Sequence, residues 1–578
     1  MGVKRLTTYL KSAAPRDVYN ETNLLELLAK WRVKHGQSSE PPVLLIDGPS
    51  LMYNFVSDLD WVCQGQYQRY VANCQSFVDA LRHVVANLHI VFVFDCDVDV
   101  KKHETWIQRR QSELLGCETI LSDIKQGRAP RKTDDWRPSM VSMVTAASIF
   151  KHELDCEVIV APHSDADPAL VSLACQYGPE RCVGVLSSDT DMCMFDMRGV
   201  PFLMTPNPVA VDWYKRPKIG VFNQTAFCRL LNCDAARLAL LSCLLGNDHT
   251  SPNMQQLKQY HKSLKLHCGP AMDSNLQFGS QFLNLMRGLM KAHSHLDLTN
   301  RRQIGQLERR VFGQDQNVFV ESIQHIQRAS QDFDVSACSV KPLRPVGKDL
   351  WSCLLQKHIN FEHHYELIPM LCQAVRSCST SMEWERETGL PPYAKLLLPA
   401  VIRMHSLCLG PGIQVVEYYS SLGHDLRTPA KFTTAQFPFT LEQLFEPDCG
   451  DDVKMDALRE IWGWSIASAA SAITSADVVE CFLQYLQHNG CDLKSFELEA
   501  FRETTRQVGA HKWPIDVQPP SQPSVRAIHL AVYMNRFLSK FLLSVSACNT
   551  PIPVQLTFPW KMFDGPLFMQ IYLGLANV

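Results

Sequence analysis

The sequence lacks several features that would assign a chain to a familiar class of protein. No two of its 21 cysteines form a CxxC pair, which argues against a zinc ribbon and against a thioredoxin-type site. No apolar run approaches the roughly 18 residues that a membrane span needs, and the first residues do not form a signal peptide. We therefore predict no membrane partner and a reducing, intracellular compartment, the nucleus or the cytoplasm, in which the thiols stay free.

Excess charge and repetition are also missing. The formal net charge is −3, so any binding of nucleic acid must rest on local basic patches rather than on the chain as a whole. No internal repeat or low-complexity tract is evident. At 578 residues the chain is long enough for two or three domains, each with its own core.

The most informative stretch lies between residues 155 and 191. Two short apolar runs, CEVIVA and CVGVL, are rich in β-branched residues and predict buried strands. Between them, Asp167–Tyr177 has the spacing of a helix with one apolar face. Such a strand–helix–strand unit predicts a parallel α/β sheet, whose binding crevice lies beyond the carboxyl ends of the strands.

Acidic residues follow the predicted strands at that edge. They are Asp47 after VLLI, Asp95 after HIVFVF, Asp165 and Asp167 after CEVIVA, and Asp189 and Asp191 after CVGVL. The largely apolar helix Ala235–Leu245 leads to a seventh acid, Asp248. A single acid at a strand end is often only the N-cap of the next helix, and Asp167 before Pro168 fits that interpretation. Several converging carboxylates repel one another unless cations offset their charge, and two divalent ions about 4 Å apart would do so.

A group of cations follows the second of these strands. Lys101, Lys102, Arg109 and Arg110 lie within ten residues, and helical spacing puts Trp106 on the same face as three of them. That pattern fits a helix that contacts phosphate, and a solvated charged face is the alternative. The next segment, 111–138, carries further cations and a proline, and it predicts a mobile basic loop.

The N-terminal residues MGVKRLTTYL place Gly2, Lys4 and Arg5 ahead of a short amphipathic helix. If Met1 is removed, the free amine of Gly2 beside two cations can meet a phosphate. A surface N-terminus without a role is the alternative.

Six motifs, in order and spacing, resemble the flap-endonuclease/XPG nuclease superfamily over about residues 1–260. They are MGVKRLTTYL, VLLIDG, VFVFDC with Lys102 and Arg109 downstream, APHSDAD, LSSDTD and LLGNDH. Within the superfamily, VLSSDTDMCMFD and LLGNDH are most similar to the Asteroid proteins. The stretch Asp60–Gln66 is similar to the constitutive coactivator of PPAR-gamma family.

The resemblance implies an α/β, PIN-like domain with a central, mostly parallel sheet, which hydrolyses phosphodiesters with two Mg²⁺ (or Mn²⁺) ions. It implies that seven acids are metal ligands: Asp47, Asp95, Asp165, Asp167, Asp189, Asp191 and Asp248. It also implies that Lys102 and Arg109 polarise the scissile phosphate, with Gly2 close to it. Lys4, Arg5, Lys101 and Arg110 are the further candidates for binding nucleic acid, either DNA or RNA, single-stranded or flap-like.

We predict three regions: a nuclease-like domain at 1–260, a helical connecting segment at 261–342 and a largely α-helical, Asteroid-like domain at 343–578. In the last region, the apolar stretches Lys395–His405, Ile461–Ile473, Val478–Leu486 and Ala527–Val545 predict helices. This all-helical half carries no catalytic motif, and it is where we expect protein partners to bind.

Three departures from the superfamily pattern leave a second hypothesis open. Asp165 and Asp167 stand where nuclease members usually carry Glu, Pro168 is foreign to that helix start, and SPNMQQLKQYHKSLKL replaces the Gly-x-Gly hairpin that grips duplex DNA. The first hypothesis is a metal-dependent nuclease, either structure-specific or specific for single strands. The alternative is a catalytically inactive scaffold of the same fold that binds RNA or protein partners, like a coactivator.

Overall fold

The structure is a computed structural model that describes most of the chain. The described residues are 3, 5–35, 40–56, 60–96, 103–130, 143–161, 166–205, 212–247, 250, 253–266, 275–314, 317–330, 340–377, 380–423, 425–464, 473–510, 517–552 and 558–577. Six predicted site residues lie outside them: Gly2, Lys4, Lys101, Lys102, Asp165 and Asp248.

The chain divides into two compact units, each built from several segments. The first, called the sheet unit here, comprises Met1–Asn54, Ser76–Asp95 and Asp155–Cys338. The second, called the helical unit, comprises Phe55–Gln75, Cys96–Leu154 and Ser339–Val578. The unit boundary after residue 338 lies near the predicted boundary at 342, and residues 55–75 and 96–154 group with the C-terminal half. The three regions at 1–260, 261–342 and 343–578 stay a prediction as functional domains.

A seven-stranded sheet forms the core of the sheet unit. Its strands are β1 Tyr19–Asn23, β2 Val43–Asp47, β3 His89–Phe94, β4 Glu157–Val160, β5 Cys182–Ser187, β6 Phe202–Met204 and β7 Lys218–Phe222. Their order is β1-β7-β6-β5-β2-β3-β4, and β2 pairs in parallel with both β3 and β5. β2 and β5 are buried along their whole length, as expected of parallel strands covered on both faces.

The sheet confirms the predicted fold class, an α/β domain with a central, mostly parallel sheet. VLLI and CEVIVA lie in the same sheet, with β3 between them. Two strands were not predicted from the sequence: β1 and β7, which add antiparallel pairs at one edge. β1 has the polar sequence YNETN and its middle residues are exposed, so it carries none of the apolar alternation that marks a strand.

The described helices, in chain order, are α1 Leu6–Ala13, α2 Leu24–His35, α3 Gly48–Leu51, α4 Tyr67–Val84, α5 His103–Lys125, α6 Met143–Ser148, α7 Asp167–Tyr177, α8 Gln224–Leu231, α9 Ala235–Leu245, α10 Met254–Ser263, α11 Asn275–Ala292, α12 Arg301–Phe312, α13 Val318–Ala329, α14 Lys348–Ile359, α15 Leu367–Cys372, α16 Glu385–Thr388, α17 Tyr393–Leu409, α18 Leu441–Leu444, α19 Asp451–Trp462, α20 Ser475–His488, α21 Ser495–Gly509, α22 Val525–Ala547, α23 Pro559–Met562 and α24 Gly565–Ala576. The predicted helices at α1, α7, α9, α17, α20 and α22 are confirmed. Of the predicted helix Ile461–Ile473, the first two residues end α19, and 465–472 lie outside the described residues.

Two expectations about the remaining chain are wrong in part. Residues 111–125 belong to the helix α5 and not to a loop, because Cys117, Ile120, Leu121 and Ile124 recur at helical spacing and are buried. The helical unit also contains a small sheet, β8 Val375–Ser377, β9 Gln414–Tyr418 and β10 Ala430–Thr433, in the order β10-β9-β8. The half beyond residue 343 is therefore largely but not wholly helical.

Among the described helices, none has both the length and the apolar character that a membrane crossing requires.

Candidate active site at the carboxyl ends of the strands

Asp47 ends the central strand β2 and is the N-cap of α3. Its Oδ1 atom accepts a hydrogen bond from the backbone N–H of Ser50 at 3.2 Å. Its Oδ2 atom accepts from the hydroxyls of Ser50 and Ser187, both at 2.5 Å. Ser187 is the last residue of β5, so this carboxylate joins two neighbouring strand ends and is held in one orientation by three donors.

Burial raises the pKa of the Asp47 carboxyl above its usual range, and the negative charge of Asp189 raises it further. The hydrogen bonds from Ser187 and Ser50 stabilise the ionised form and oppose that shift. Asp47 and Asp189 lie close together because Ser187 contacts both: its hydroxyl donates to Asp47 Oδ2 and accepts from the N–H of Asp189.

Asp95 directly follows β3 and contacts the start of α7. Its Oδ1 atom accepts a hydrogen bond from the backbone N–H of Ala166 at 2.8 Å. Ala166 is the N-cap of α7, with Asp167 and Pro168 as its first two helical residues. The interpretation of Asp167 as the N-cap is therefore wrong by one position. The hydrogen bond between Asp95 and Ala166 brings the half-buried Asp167 to the end of β3.

Glycine permits the close approach of β2 and β3 at this edge. A Cβ atom on Gly48 would lie 2.5 Å from Cε1 of the Phe94 ring, closer than real Cβ atoms come to their neighbours. Gly48 follows Asp47 and Phe94 precedes Asp95, so the packing of these two neighbours positions both acids.

Asp189 and Asp191 follow β5 in a short 3₁₀-helix, Thr190–Met194. Asp189 is the N-cap of this helix, and its Oδ1 atom accepts a hydrogen bond from the N–H of Asp191 at 2.9 Å. The backbone N–H of Asp189 donates to Ser187 Oγ at 3.0 Å. Burial raises the pKa of the Cys243 thiol to about 12, and the charge of Asp191 contributes in the same direction. Cys243 lies on α9, so Asp191 is close to the helix that leads to Asp248.

A hydrogen-bonded turn follows α9. The backbone N–H and the hydroxyl of Thr250 both donate to Asn247 Oδ1, each at 3.1 Å, and the N–H of Asn247 donates to Thr250 Oγ1 at 3.0 Å. Asn247 Nδ2 also donates to Ser322 Oγ on α13 at 2.8 Å. The two residues that flank Asp248 and His249 are thus fixed, although Asp248 itself lies outside the described residues.

Arg5 lies near the same end of α9. Its charge, together with the larger effect of burial, lowers the pKa of His261 on α10. The Nε2 atom of His261 is 2.8 Å from the carbonyl oxygen of Leu244, in the last turn of α9. Of the predicted N-terminal contacts, Arg5 is the one that the structure describes.

Arg109 and Arg110 lie on α5, in the helical unit. Arg110 Nη1 is 2.8 Å from Glu113 Oε2, one turn along the helix. Trp106 is buried in a cluster with Ile107 and Leu426, against which Tyr418 packs. Trp106 is therefore a core residue of this unit, whereas the roles of Arg109 and Arg110 stay predictions.

Five of the seven predicted acids are described, and the strand ends bring them into two neighbouring groups. Asp47, Asp189 and Asp191 form one group, and Asp95 and Asp167 form the other. Within the described part of the chain, no three His, Cys, Asp or Glu side chains form a group able to hold a metal ion. Sequence reasoning missed Ser50 and Ser187, for which the signal was a hydroxyl residue beside each acidic motif, in DGPS and LSSDTD.

Comparison with known proteins adds relatives of two kinds. No family model matches the chain. The bovine constitutive coactivator of peroxisome proliferator-activated receptor gamma is 23% identical over 659 residues, which cover 99% of this chain and 91% of that protein. The mouse single-strand DNA endonuclease ASTE1 is 28% identical over 219 residues, which cover 36% of this chain and 30% of that protein.

Among solved structures, the catalytic core of Rad2 in complex with DNA substrate overlaps 62% of this chain and 95% of that core, at 16% identity and a TM-score of 0.32. The fold assignment rests on the sheet described above. The recognition made from the six motifs is confirmed: this chain is similar to the bovine constitutive coactivator over nearly its whole length and to the mouse endonuclease ASTE1 over about a third of it.

Proposed function

We propose that this protein is a metal-dependent nuclease that hydrolyses phosphodiester bonds in single-stranded or flap-like DNA or RNA. The observation that carries the proposal is the meeting of Asp47 and Asp189 at the ends of two adjacent parallel strands, with the hydroxyl of Ser187 between them. Carboxylates gathered in this way repel one another, and a bound cation offsets that repulsion.

The chemistry of the candidate ligands suits a hard divalent cation, although the described acids alone form no group of three that could hold one. Asp95, Asp189 and Asp191 offer carboxylate oxygens, which Mg²⁺ and Mn²⁺ prefer to sulfur ligands. The thiols of Cys193 and Cys243 stay protonated because burial raises the pKa of each, so they do not compete as thiolate ligands.

The proposed roles follow from the geometry and from the resemblance. Asp95, Asp165, Asp189 and Asp191 would hold the ions, and Asp167 and Asp248 would act directly or through water. Asp47 is better suited to positioning, since three hydrogen bonds already hold its carboxylate. When bound, the ions make an attacking water more acidic and stabilise charge on the phosphoryl oxygens. Lys102 and Arg109 would offset the same charge.

A basic surface on the sheet unit supports nucleic acid as the substrate class. The segment that replaces the duplex-gripping hairpin forms α10, which packs against α12. Exposed cations on these two helices form what we call the α10–α12 face: Lys258, Lys262, Arg301, Arg302, Arg309 and Arg310. Phosphate contacts of this kind supply most of the sequence-independent affinity for nucleic acid.

Cleavage of labelled single-stranded DNA, flap DNA and RNA in Mg²⁺ or Mn²⁺ tests the proposal. We expect the wild-type protein to cleave at least one substrate and Asp191→Ala to lose at least about 100-fold in rate, since even the outer-shell partners of metal ligands typically contribute 10–100-fold. Asp196→Ala is the matched control, because Asp196 is an exposed acid of the same unit whose Oδ1 atom accepts a hydrogen bond from the N–H of Arg198. Cleavage by Asp191→Ala at the wild-type rate would identify a contaminating nuclease.

A non-catalytic scaffold is the second candidate, and the similarity to a coactivator along 99% of the chain favours it. Such a scaffold keeps the fold and binds nucleic acid or protein partners, the latter through the helical unit. It predicts no cleavage by a well-folded wild-type protein and undiminished binding of single-stranded oligonucleotide in the double variant Asp189→Ala/Asp191→Ala. The nuclease proposal predicts cleavage that this double variant abolishes.

A further inference from the structure

Two cysteines, Cys228 and Cys233, meet at the end of α8. The helix ends at Leu231, and Asn232 adopts a left-handed conformation with φ 55° and ψ 50°. The N–H of Asn232 donates to the carbonyl of Arg229 at 3.2 Å, and the N–H of Cys233 donates to the carbonyl of Cys228 at 3.1 Å. These two bonds define a Schellman motif, which brings the side chains at these helix-end positions into contact.

In most such motifs the two side chains in contact are apolar, whereas here both are thiols. The thiols are hydrogen-bonded to each other, and this bond raises the pKa of Cys228 and lowers the pKa of Cys233. Both cysteines are free. The backbone bonds of the helix end therefore hold the two cysteines at the positions of the motif whose side chains face each other, with Cys228 as the thiol donor and Cys233 as the sulfur that more readily becomes a thiolate.

The pair borders the surface, with Cys233 partly exposed and Cys228 buried behind it. Both cysteines line a surface cleft of about 500 Å³ together with Arg229, Asp234 and Arg237. Arg237 is fixed there, since its Nη1 and Nη2 atoms donate to the carbonyls of His293 and Leu296 at 3.0 and 3.3 Å. Its charge also lowers the pKa of Cys233, although less than the bond from Cys228 does.

We propose that Cys228 and Cys233 form a redox-active dithiol that closes to a disulfide when the protein meets a hydroperoxide. The Cys233 thiolate attacks the peroxide oxygen and breaks the O–O bond, which leaves a sulfenic acid on Cys233 and releases water or an alcohol after protonation. The Cys228 thiol then attacks the Cys233 sulfur, a disulfide forms, and the sulfenic hydroxyl leaves as water with the Cys228 proton. Two thiols are oxidised and one peroxide is reduced.

Peroxide titration of the reduced, full-length protein tests this proposal. After reductant is removed, hydrogen peroxide is added, remaining thiols are alkylated, and peptides are analysed by mass spectrometry. We expect the peptides that carry Cys228 and Cys233 to lose both alkylation sites and two hydrogen masses at a peroxide dose that leaves the other described cysteines alkylated. Dithiothreitol should restore both sites.

Two variants separate the proposal from general oxidation. In Cys228→Ser the disulfide cannot form, so Cys233 should gain one oxygen and react with dimedone, a trap for sulfenic acids. Cys175→Ser, which removes a half-buried thiol elsewhere in the sheet unit, should leave formation of the disulfide unchanged. The proposal is overturned if buried cysteines other than Cys228 oxidise before this pair, if Cys233 in the wild type is oxidised without a bond to Cys228, or if the dimedone signal is the same in the wild type and Cys228→Ser.

Discussion

The hydroxyl of Ser187 donates to Oδ2 of Asp47 at 2.5 Å, from the end of β5 to the end of β2. The Oγ atom of Ser187 in turn accepts a hydrogen bond from the backbone N–H of Asp189 at 3.0 Å. One serine thus links the two acids on which the proposed active site depends. It also supplies a hydrogen bond to a buried carboxylate whose pKa burial has already raised.

Loss of this hydroxyl should destabilise the protein measurably. We expect Ser187→Ala to reduce the free energy of unfolding by about 1.5–3 kcal/mol, the usual range for a hydrogen bond to a charged group. Urea unfolding at pH 7 measures the change. Ser188→Ala is the matched control, because the Ser188 hydroxyl donates to the neutral Ser50 Oγ and should contribute about 1 kcal/mol or less. Equal effects of the two substitutions would contradict the special role of Ser187.

Divalent ions should stabilise the protein through Asp189. Asp189→Asn keeps the N-cap at little cost but removes a charge that repels Asp47. We expect the metal-free variant to be as stable as the wild type or slightly more so. At a hundredfold excess over Kd, Mg²⁺ should stabilise the folded wild type by about 2.7 kcal/mol and so raise its Tm. It should raise the Tm of the variant less.

Thermal unfolding of the full chain, with and without Mg²⁺ or Mn²⁺, measures this response. Asp234→Asn is the matched control, since Asp234 caps α9 in the same way at an exposed position in the same unit. An equal response to metal in both variants would show that Asp189 acts only as a cap.

The α10–α12 face should contribute electrostatic affinity for single strands. We expect Arg302→Ala and Arg309→Ala each to reduce the slope of log K against log salt by about 0.7, the value for one lost phosphate contact on a single strand. Fluorescence anisotropy with a labelled oligonucleotide in EDTA measures binding without cleavage. Arg506→Ala, an exposed arginine paired with Glu503 in the helical unit, should leave the slope unchanged. A slope that all three substitutions leave unaltered would exclude this face as the binding surface.

Stability should fall as the pH rises toward neutrality, because of a buried acid in the helical unit. Burial raises the pKa of Glu383 to about 7, although it accepts hydrogen bonds from Ser381 Oγ at 2.9 Å and from Tyr393 N–H at 2.7 Å. The folded state therefore binds the proton of the Glu383 carboxyl group more tightly than the unfolded state does. The resulting stability is fully present below about pH 4 and is lost as the pH rises to about 7, with a magnitude on the order of 3 kcal/mol.

Urea midpoints measured between pH 4 and about pH 8 test this prediction. Glu383→Gln should flatten the profile. Burial also raises the pKa of Asp564 to about 7, so part of the dependence of stability on pH should remain in this variant. Glu446→Gln, at an exposed position, should keep the wild-type profile. A slope of the same size in Glu383→Gln would assign the pH dependence to other groups.

The sequence by itself determined the parallel strands and the acids at their ends. Runs such as VLLI and HIVFVF are short, apolar and contain β-branched residues, and an acid after each run marks the carboxyl end of a strand. These are local signals, because they depend on which residues follow one another. They also predicted α7 and α9 with their observed bounds.

Tertiary structure decided which distant residues become neighbours, because the local sequence pattern does not specify them. The bond from Ser187 to Asp47 joins residues 140 apart in the chain, and it exists because β5 and β2 are neighbours in the sheet. β1 is a strand through its pairing with β7 and not through its own sequence, and Trp106 became a core residue because β9 and the residues after it supplied partners. Hydrophobic periodicity specifies which residues are buried, whereas the neighbours of a buried residue follow from strand order and helix packing.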